Sequence, residues 1–317
     1  MRPVLAVDGG QSGIRVRHSA DPSAVEVGGV SRLEGDTVGS VAAAVIEAWQ
    51  AMGGPVVDRA ILGLPTAPAA GPAQGRLCEA VAAGTRAREV WLADDAVTAH
   101  AGALSESLGV SLTVGTGVAC LVMPRDGRPR IIGGHGYLIG DEGGAWCIGR
   151  EGLRAALRAA EGQGQPTALS HSAERRIGSL ADLGARLHSL PRPVDAVARF
   201  APEVLDAAVA VDAVARAIAE QATEELVAVA GVAVSVAAAG DGPGAATQEM
   251  LVPVALGGRL LEAGPLRGWL DESLARSLPG AMVVDASGSP LDGALRLGES
   301  ADPGPYRDLV FVWQAAA

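Results

Sequence analysis

Short apolar runs and longer stretches of helical periodicity alternate through the first hundred residues of the chain. The first run, 4–7, ends at Asp8 and two glycines, and a run of apolar and basic residues follows at 14–17. Two runs of β-forming residues on either side of a glycine turn predict a hairpin. The segments after it predict strands at 24–28, 60–64 and 89–93, and helices at 37–52, 73–83 and 96–108.

The same arrangement starts again at residue 111. A predicted strand over 111–114 ends in Gly115-Thr116-Gly117, and a second strand follows at 119–123. Beyond it the pattern predicts strands at 130–132, 252–256 and 281–284, and helices at 145–160, 212–229, 265–278 and 291–298. A repeat on this scale indicates two related α/β units that face each other across a cleft.

The length of the chain agrees with this division, because 317 residues at roughly 150 per domain correspond to two domains. We expect an N-terminal domain at 1–110 and a C-terminal domain at 111–300. Polar and mostly helical residues at 162–200 form an insertion in the second domain, and 301–317 form a tail.

The net charge of −11 argues against nucleic acid or a membrane surface as a partner. We expect neither a signal peptide nor a membrane span, because charges and glycines interrupt the apolar runs early. The three cysteines, Cys78, Cys120 and Cys147, show no metal-binding spacing and are expected to be reduced thiols. The sequence therefore predicts a cytoplasmic protein.

The chain contains no lysine, so all 25 of its basic residues are arginine. A phosphate site built on a P-loop or protein-kinase lysine is therefore excluded, and so is a Schiff base. Any ATP site in this chain must hold phosphate through backbone amides, hydroxyl groups, arginine and Mg²⁺.

The first hairpin turn combines an acid with glycines, as Asp8-Gly9-Gly10. Glycines let backbone N–H groups approach an anion, and the carboxylate can hold Mg²⁺, usually through water. This combination suggests a nucleotide and metal site. An ordinary Asp-Gly β-turn remains the alternative for this stretch alone.

Four glycine motifs occur in order along the chain: Asp8-Gly9-Gly10-Gln11-Ser12-Gly13, Gly115-Thr116-Gly117, the loop from Gly133 to Gly143, and Leu256-Gly257-Gly258-Arg259-Leu260. Together they resemble the N-acetylglucosamine kinase-like family, which includes the benzoyl-CoA and 2-hydroxyacyl-CoA activating ATPases. The wider group is the superfamily of actin, sugar kinases and heat-shock chaperones. The resemblance covers about 1–155 and 250–298.

The resemblance implies an α/β fold of two ribonuclease-H-like domains, each with a mixed sheet, and a nucleotide cleft between them. It also implies ATP and Mg²⁺ as cofactors, a small-molecule sugar as substrate, and allows a homodimer. It assigns Asp95 as the catalytic base and Asp8 to the metal. The implied nucleotide-binding residues are Asp8, Gly9, Gly10, Gln11, Ser12, Gly115, Thr116, Gly117, Gly257 and Gly258. The implied sugar-binding residues are Gly134, His135, Gly136 and Asp141.

Each of these assignments has a structural alternative. Asp94 and Asp95 are both good N-caps for the helix that follows them. Asp141 could simply start the helix at 145, and Thr116 could be an ordinary strand-end residue. Gly257-Gly258 could be only a tight turn. The repeat favours Asp95 as base with Asp94 as its cap or neighbour.

The sugar side departs from the family pattern more than the phosphate side does. Val118 and Gly144 stand where the family often has serine, and His135 stands where it often has tryptophan. The asparagine that binds sugar after the third strand has no counterpart, and Glu34 lies in that loop instead. An added acid together with Asp141 would suit a free ammonium group, so we expect glucosamine or another amino sugar to be preferred.

Three functions compete at this point. The first is an ATP-dependent kinase of an amino sugar of the N-acetylglucosamine or glucosamine type. The second is an activator ATPase that drives electron transfer from an iron–sulfur cluster shared by two subunits, but no cysteine lies in a cysteine-rich loop. The third is a sugar-sensing, ATP-binding protein without catalysis, but the chain starts directly with the first strand and carries no DNA-binding helix-turn-helix before it.

Overall fold

A computed structural model of the chain describes residues 2–10, 13–29, 37–65, 71–105, 107–239, 251–262 and 264–315. The described residues form eleven strands: β1 (Val4–Gly9), β2 (Gly13–His18), β3 (Ala24–Gly28), β4 (Arg59–Leu64), β5 (Glu89–Asp94), β6 (Gly109–Val114), β7 (Val118–Met123), β8 (Arg130–Ile131), β9 (Val252–Gly257), β10 (Ala281–Val284) and β11 (Val310–Gln314). The predicted hairpins, β1–β2 and β6–β7, are both present.

The helices of the described residues are α1 (Thr37–Ala51), α2 (Pro72–Thr85), α3 (Asp95–Leu104), α4 (Ala145–Ala160), α5 (Leu169–Ile177), α6 (Leu183–Ser189), α7 (Pro193–Ala198), α8 (Ala201–Val209), α9 (Ala213–Ala238), α10 (Arg259–Glu262), α11 (Leu266–Ser277) and α12 (Pro290–Glu299). Short 3₁₀ turns lie at Leu180–Asp182 and Gly304–Leu309.

The strands form two mixed sheets, which confirms the predicted fold class. The first has six strands in the order β11-β5-β4-β1-β2-β3, and the second has five in the order β10-β9-β6-β7-β8. In each sheet three strands are parallel and a glycine hairpin adds antiparallel strands at one side. Parallel strands with crossover helices are typical of mixed α/β folds.

Two helices lie between the sheets. α3 contacts β4 and β5 of the first sheet and β6 and β7 of the second, while α12 packs on α3 and on β1. The described residues form a first apolar core on the first sheet, which includes Leu62, and a second core on the second sheet, which includes Leu112. A third core lies around α3 and α12, with Val4 from one sheet, Leu121 from the other and Leu291 from α12 among its buried members. This shared core holds the two sheets at a fixed separation at the base of the cleft.

The end of the chain belongs to the first sheet. β11 pairs antiparallel with β5 as its edge strand, with Phe311 and Trp313 packed against the first core. The residues that we expected to form a tail therefore include a strand, and the chain from α12 onward packs on the N-terminal sheet. The domain boundaries themselves stay a prediction.

Three other expectations need correction. α3 ends at Leu104 and not at residue 108, because Ser105 adopts a left-handed φ of 59° that cannot continue the helix. α9 continues to Ala238 and not to residue 229, and α8 was not predicted. By length and composition α9 could cross a membrane, with a mean hydropathy of 1.3, yet nine of its residues from Ala215 to Ala237 are buried, and eight of these belong to the second core. A helix buried in a protein core can have the same length and hydropathy as a membrane span, and the burial of α9 agrees with such a core helix.

Candidate active site

The carboxyl ends of β1, β4 and β5 meet at one edge of the first sheet. Asp8 on β1 is opposite Gly63 on β4, and Gly63 is opposite Ala93, one residue before Asp94. A Cβ at Gly63 would overlap the side chain of Thr98, so glycine is what lets α3 approach the sheet here. This close approach brings the first turn of α3 to the edge at which Asp8 lies.

Asp8 is buried, with 7% of its surface exposed, and its carboxylate pairs with the guanidinium of Arg15 across the hairpin. Burial raises the pKa of Asp8, while the Arg15 charge and hydrogen bond lower it. A carboxylate in this position has one cation already beside it. Mg²⁺ would have to share or displace that partner.

Asp94 and Asp95 have separate positions at the start of α3. Asp94 is the N-cap, and its side chain accepts a hydrogen bond of 3.1 Å from the amide of Ala96. Asp95 is half-buried, and its pKa is raised well above the usual range by burial, by the charge and hydrogen bond of Asp94, and by the charge of Asp8. The N-cap is thus Asp94, whereas the carboxyl of Asp95 is hydrogen-bonded to Asp94 and lies near the charge of Asp8.

The second hairpin turn is tied to the start of α4. The amide of Ala145 donates to the carbonyl of Gly115 and the amide of Trp146 donates to the carbonyl of Thr116, both at 2.9 Å. A Cβ at Gly115 would meet no atom within 4 Å, so the turn is open at this residue. An open glycine turn is a surface on which a phosphate group can approach the backbone.

Asp141 lies against this second turn. It is buried, with 6% of its surface exposed, and has a left-handed φ of 63°, which is uncommon outside glycine. Its Oδ1 accepts a hydrogen bond of 3.3 Å from the amide of Gly136. A Cβ at Gly117 would overlap the Asp141 carboxylate, so glycine at 117 makes room for it. The residue that caps α4 is Gly144, so the alternative in which Asp141 starts the helix is not what the structure has.

The other predicted sugar residues lie in the same loop. Gly134 has a left-handed φ of 67°, and a Cβ there would lie 3.2 Å from the carbonyl oxygen of Val118. His135 is exposed, and Gly136 has a φ of 85°. The structure therefore brings the Gly134–Gly136 segment, Asp141 and the second hairpin turn together.

Gly257 is the last residue of β9 and Gly258 follows it, beside the second hairpin. Gly258 has a left-handed φ of 98°, and a Cβ there would overlap the backbone of Val114 at the end of β6. Glycine is thus required for packing at this turn. This agrees with the alternative in which Gly257-Gly258 is only a tight turn. The close contact with Val114 also shows that the motif lies next to Gly115.

Parts of the predicted site lie outside the described residues. They are Gln11 and Ser12 of the first turn and residues 30–36, which include Glu34. Gly9 and Gly10 are described, and the amide of Gly10 donates to the carbonyl of Gly13 at 2.7 Å, which closes the hairpin turn.

Within the part of the chain that the structure describes, no three His, Cys, Asp or Glu side chains form a metal-binding group. Mg²⁺ commonly binds proteins through one or two carboxylates and completes its shell with water and substrate phosphates. Asp8 at the edge of the first sheet offers one such carboxylate, and the glycine turn, open at Gly115, fits a phosphate group.

Three charged residues near Asp8 were missed as site residues from the sequence: Arg15, Glu26 and Arg259. Glu26 Oε1 and Arg259 Nη2 form an ion pair at 2.5 Å between the first and second sheets. Arg15 and Arg259 stand in the first and fourth glycine motifs, so the motifs pointed near them. Which residues face Asp8 depends on strand register, which the sequence does not contain.

Comparisons with known proteins agree with this geometry. The sequence profile of the BadF/BadG/BcrA/BcrD ATPase family matches residues 9–296. Over 81 residues the chain is 35% identical to an N-acetylmuramic acid/N-acetylglucosamine kinase from Clostridium acetobutylicum, and this match covers 26% of each chain. The aligned part is thus about a quarter of that curated relative.

Solved structures give matches over nearly the whole chain. A candidate N-acetylglucosamine kinase from Chromobacterium violaceum is 26% identical with a TM-score of 0.68, over 94% of this chain and 99% of the other. A ROK family glucokinase from Streptomyces griseus, in complex with glucose and AMPPNP, is 18% identical with a TM-score of 0.54, over 93% and 98%. The second likeness is one of fold alone.

Proposed function

The chain belongs to the BadF/BadG/BcrA/BcrD ATPase family, and we propose that it is an ATP-dependent kinase that phosphorylates an amino sugar. The observation that carries the proposal is the carboxyl of Asp95. It lies half-buried at the edge that also holds Asp8, its pKa is raised, and the capping role beside it is filled by Asp94. The N-acetylglucosamine kinase names of a relative and of a structural neighbour support the same reading.

In the proposed reaction a carboxylate oxygen of Asp95 accepts the proton of the sugar hydroxyl. The hydroxyl oxygen forms its bond to the γ-phosphorus of ATP, while the bond from that phosphorus to the bridging oxygen of ADP breaks. A carboxylate with a raised pKa is a stronger base than an ordinary one, which suits this proton transfer. Asp8 is proposed to hold Mg²⁺, which would supply positive charge to offset that of the phosphates.

The remaining residues bind and orient the two substrates. The glycine turns at Gly9-Gly10 and Gly115–Gly117 are proposed to hold the phosphates through backbone amides, and Gly257-Gly258 to back the adenosine. Asp141 and the Gly134–Gly136 backbone are proposed to bind sugar hydroxyls. Holding the sugar and the phosphate in fixed positions is the larger part of catalysis in phosphoryl transfer.

The cysteines bear on the alternative of an activator ATPase. Cys78 is buried in the core of the first sheet and Cys120 in the core of the second, and burial raises the pKa of each thiol to about 12. Cys147 lies in α4, and burial raises its pKa to about 11. A cluster shared by two subunits needs thiolates on an exposed surface. The described thiols do not meet that need, so kinase activity is the better supported function.

The test is sugar-dependent release of ADP. Purified protein is given MgATP with N-acetylglucosamine, glucosamine, N-acetylmannosamine or glucose, and kcat/KM is compared. We expect an amino sugar to be best and glucosamine to exceed N-acetylglucosamine, because the exposed His135 stands where the family often has tryptophan and because Glu34 with Asp141 would suit a free ammonium group. Val118 does not contribute to this expectation, since its side chain is buried in the core of the second sheet. A lost hydrogen bond to the sugar typically costs about 1–3 kcal/mol. ADP release that none of the four sugars increases would contradict the kinase, and N-acetylglucosamine as clear best would contradict the altered preference.

A further inference from the structure

Three charged side chains stand in a row across the first hairpin and its neighbour. Asp8 on β1 is directly opposite Arg15 on β2, and Arg15 is directly opposite Glu26 on β3. Side chains of directly paired residues lie on the same face of a sheet. Since Val25 and Val27 pack against the first core, Glu26 points to the other face, together with Asp8 and Arg15.

A fourth charge joins this row from the second sheet. Arg259 directly follows Gly258, at the start of α10, which packs on β6 and β9. Its Nη2 lies 2.5 Å from Glu26 Oε1, and its charge also lowers the pKa of Asp8. Negative and positive side chains therefore alternate along the row, in the order Asp8, Arg15, Glu26, Arg259. Arg259, the last of them, follows the second sheet in the chain.

The Glu26 carboxylate lies over the first glycine turn. A Cβ at Gly13 would be 2.5 Å from Glu26 Oε1. A phosphate group at that turn would be repelled by the carboxylate and would compete with it for the same guanidinium. Arginine binds carboxylate and phosphate oxygens with similar geometry, so one can replace the other.

Arg259 is better placed for this exchange than Arg15. The side chain of Arg15 is 36% exposed and lies between two acids of its own sheet, whereas that of Arg259 is 52% exposed and pairs with Glu26 alone among the described ion pairs. In a chain without lysine, arginine is the permanently charged side chain that can provide a cationic contact to the nucleotide.

We propose that Arg259 is a phosphate-binding residue of the nucleotide site, and that it exchanges the Glu26 carboxylate for a phosphate oxygen when nucleotide binds. Glu26 is then a competitor that holds Arg259 across the cleft of the free protein. The inference rests on the proposed use of ATP and adds to it the cation that contacts the phosphates and the acid that opposes it.

The test is calorimetric titration of MgADP into wild type, Arg259→Gln and Glu26→Gln. Loss of a charge-assisted contact should weaken MgADP binding about tenfold in Arg259→Gln. Removal of the competing acid should tighten binding by up to about fivefold in Glu26→Gln, the range of an exposed ion pair. Adenosine, which has no phosphate, should bind both variants like wild type. Both variants break the ion pair between Glu26 and Arg259. If the pair only stabilised the contact between the two sides, the two variants would change the affinity for MgADP in the same direction. Opposite changes in that affinity therefore indicate an exchange.

Arg267→Gln is the matched control, because it removes an arginine from an exposed ion pair with Asp271 within α11. It should leave MgADP binding unchanged. The inference is overturned if Arg259→Gln and Glu26→Gln shift MgADP binding in the same direction, or if Arg259→Gln weakens adenosine as much as MgADP. Failure of wild type to bind MgADP at all would instead contradict the proposed function.

Discussion

At the scale of single residues, the adjacent side chains of Asp94 and Asp95 have different environments at the start of α3. Both Asp94 and Asp95 suit a helix N-cap by residue type, so the sequence alone leaves their roles open. The structure gives the cap to Asp94 through its hydrogen bond to Ala96. Asp95 is then the carboxyl whose pKa is raised by burial and by its acidic neighbours. Asp94 and Asp95 are the same residue type, but one caps the helix and the other has a raised pKa.

This asymmetry predicts the pH dependence of turnover. A base must be deprotonated, so kcat should rise as the pH increases through the raised pKa of Asp95, at a pH above that of an ordinary carboxyl near 3.9. Asp94→Asn keeps a capping side chain but removes a charge that raises this pKa. We expect it to move the acid limb of the kcat profile to lower pH. An acid limb that does not move would show that another group controls it.

The same shift affects stability, with a definite sign. Because the folded-state pKa of Asp95 lies above its unfolded value, protonated Asp95 favours the folded state. That contribution is complete below the unfolded pKa and is lost as pH rises through the folded pKa. Urea unfolding of Asp95→Asn should therefore give a stability advantage over wild type that is larger at neutral pH than in acid.

Site residues were singled out from the sequence only where a motif carried them, and their roles stay predictions. Asp8 and Asp141 each lie beside glycines at the end of an apolar run, and Asp95 follows a predicted strand at the position that the family resemblance assigns to the base. Arg15, Glu26 and Arg259 gave no such signal, because their meeting depends on the register of β1, β2 and β3 and on the approach of α10 from the other sheet.

At the scale of elements, the contact between α3 and α12 depends on two glycines. A Cβ at Gly293 would overlap the carbonyl of Thr98, and a Cβ at Gly102 would overlap the carbonyl of Ser289. The N-terminus of α12 is fixed by a capping box between Ser289 and Asp292. The two helices therefore pack backbone to backbone, and this contact supports the turn that holds Asp95.

Gly293→Ala should destabilise the protein. The added methyl group would meet backbone that cannot move without shifting a helix, and overpacking of this kind costs about 1–3 kcal/mol. Gly75→Ala is the matched control, since Gly75 lies in α2 with open space around its Cβ position. It should gain about 0.5–1 kcal/mol from helix propensity. Equal effects in thermal or urea unfolding would mean that the α3–α12 contact is looser than described.

Elements with strong periodicity were predictable, and elements defined by distant partners were not. α4 begins and ends where its pattern predicts, at Ala145 and Ala160. β11 is a short apolar piece whose partner, β5, lies more than 200 residues earlier in the chain. Nothing local distinguishes such a piece from a packed tail.

At the scale of the whole molecule, the two sheets share a core. The cluster around α3 and α12 contains Val4 and Trp91 of the first sheet and Leu121 and Met123 of the second. Unfolding either sheet would expose this apolar surface on the other. We therefore expect calorimetry to record one unfolding transition, whereas two separated transitions would mean that the sheets unfold independently. The repeat in the sequence predicted two units, but not that they would be coupled in this way.

The proposed kinase depends on one carboxyl, Asp95, at the edge of the first sheet beside Asp94 and near the charge of Asp8. The most direct test is the kcat of Asp95→Asn for the best sugar, measured together with MgADP binding. The account predicts that kcat falls by about 10²–10⁴-fold while binding of MgADP stays close to wild type, because a base acts only in the chemical step. Asp95→Asn with a kcat near that of wild type would contradict the central claim.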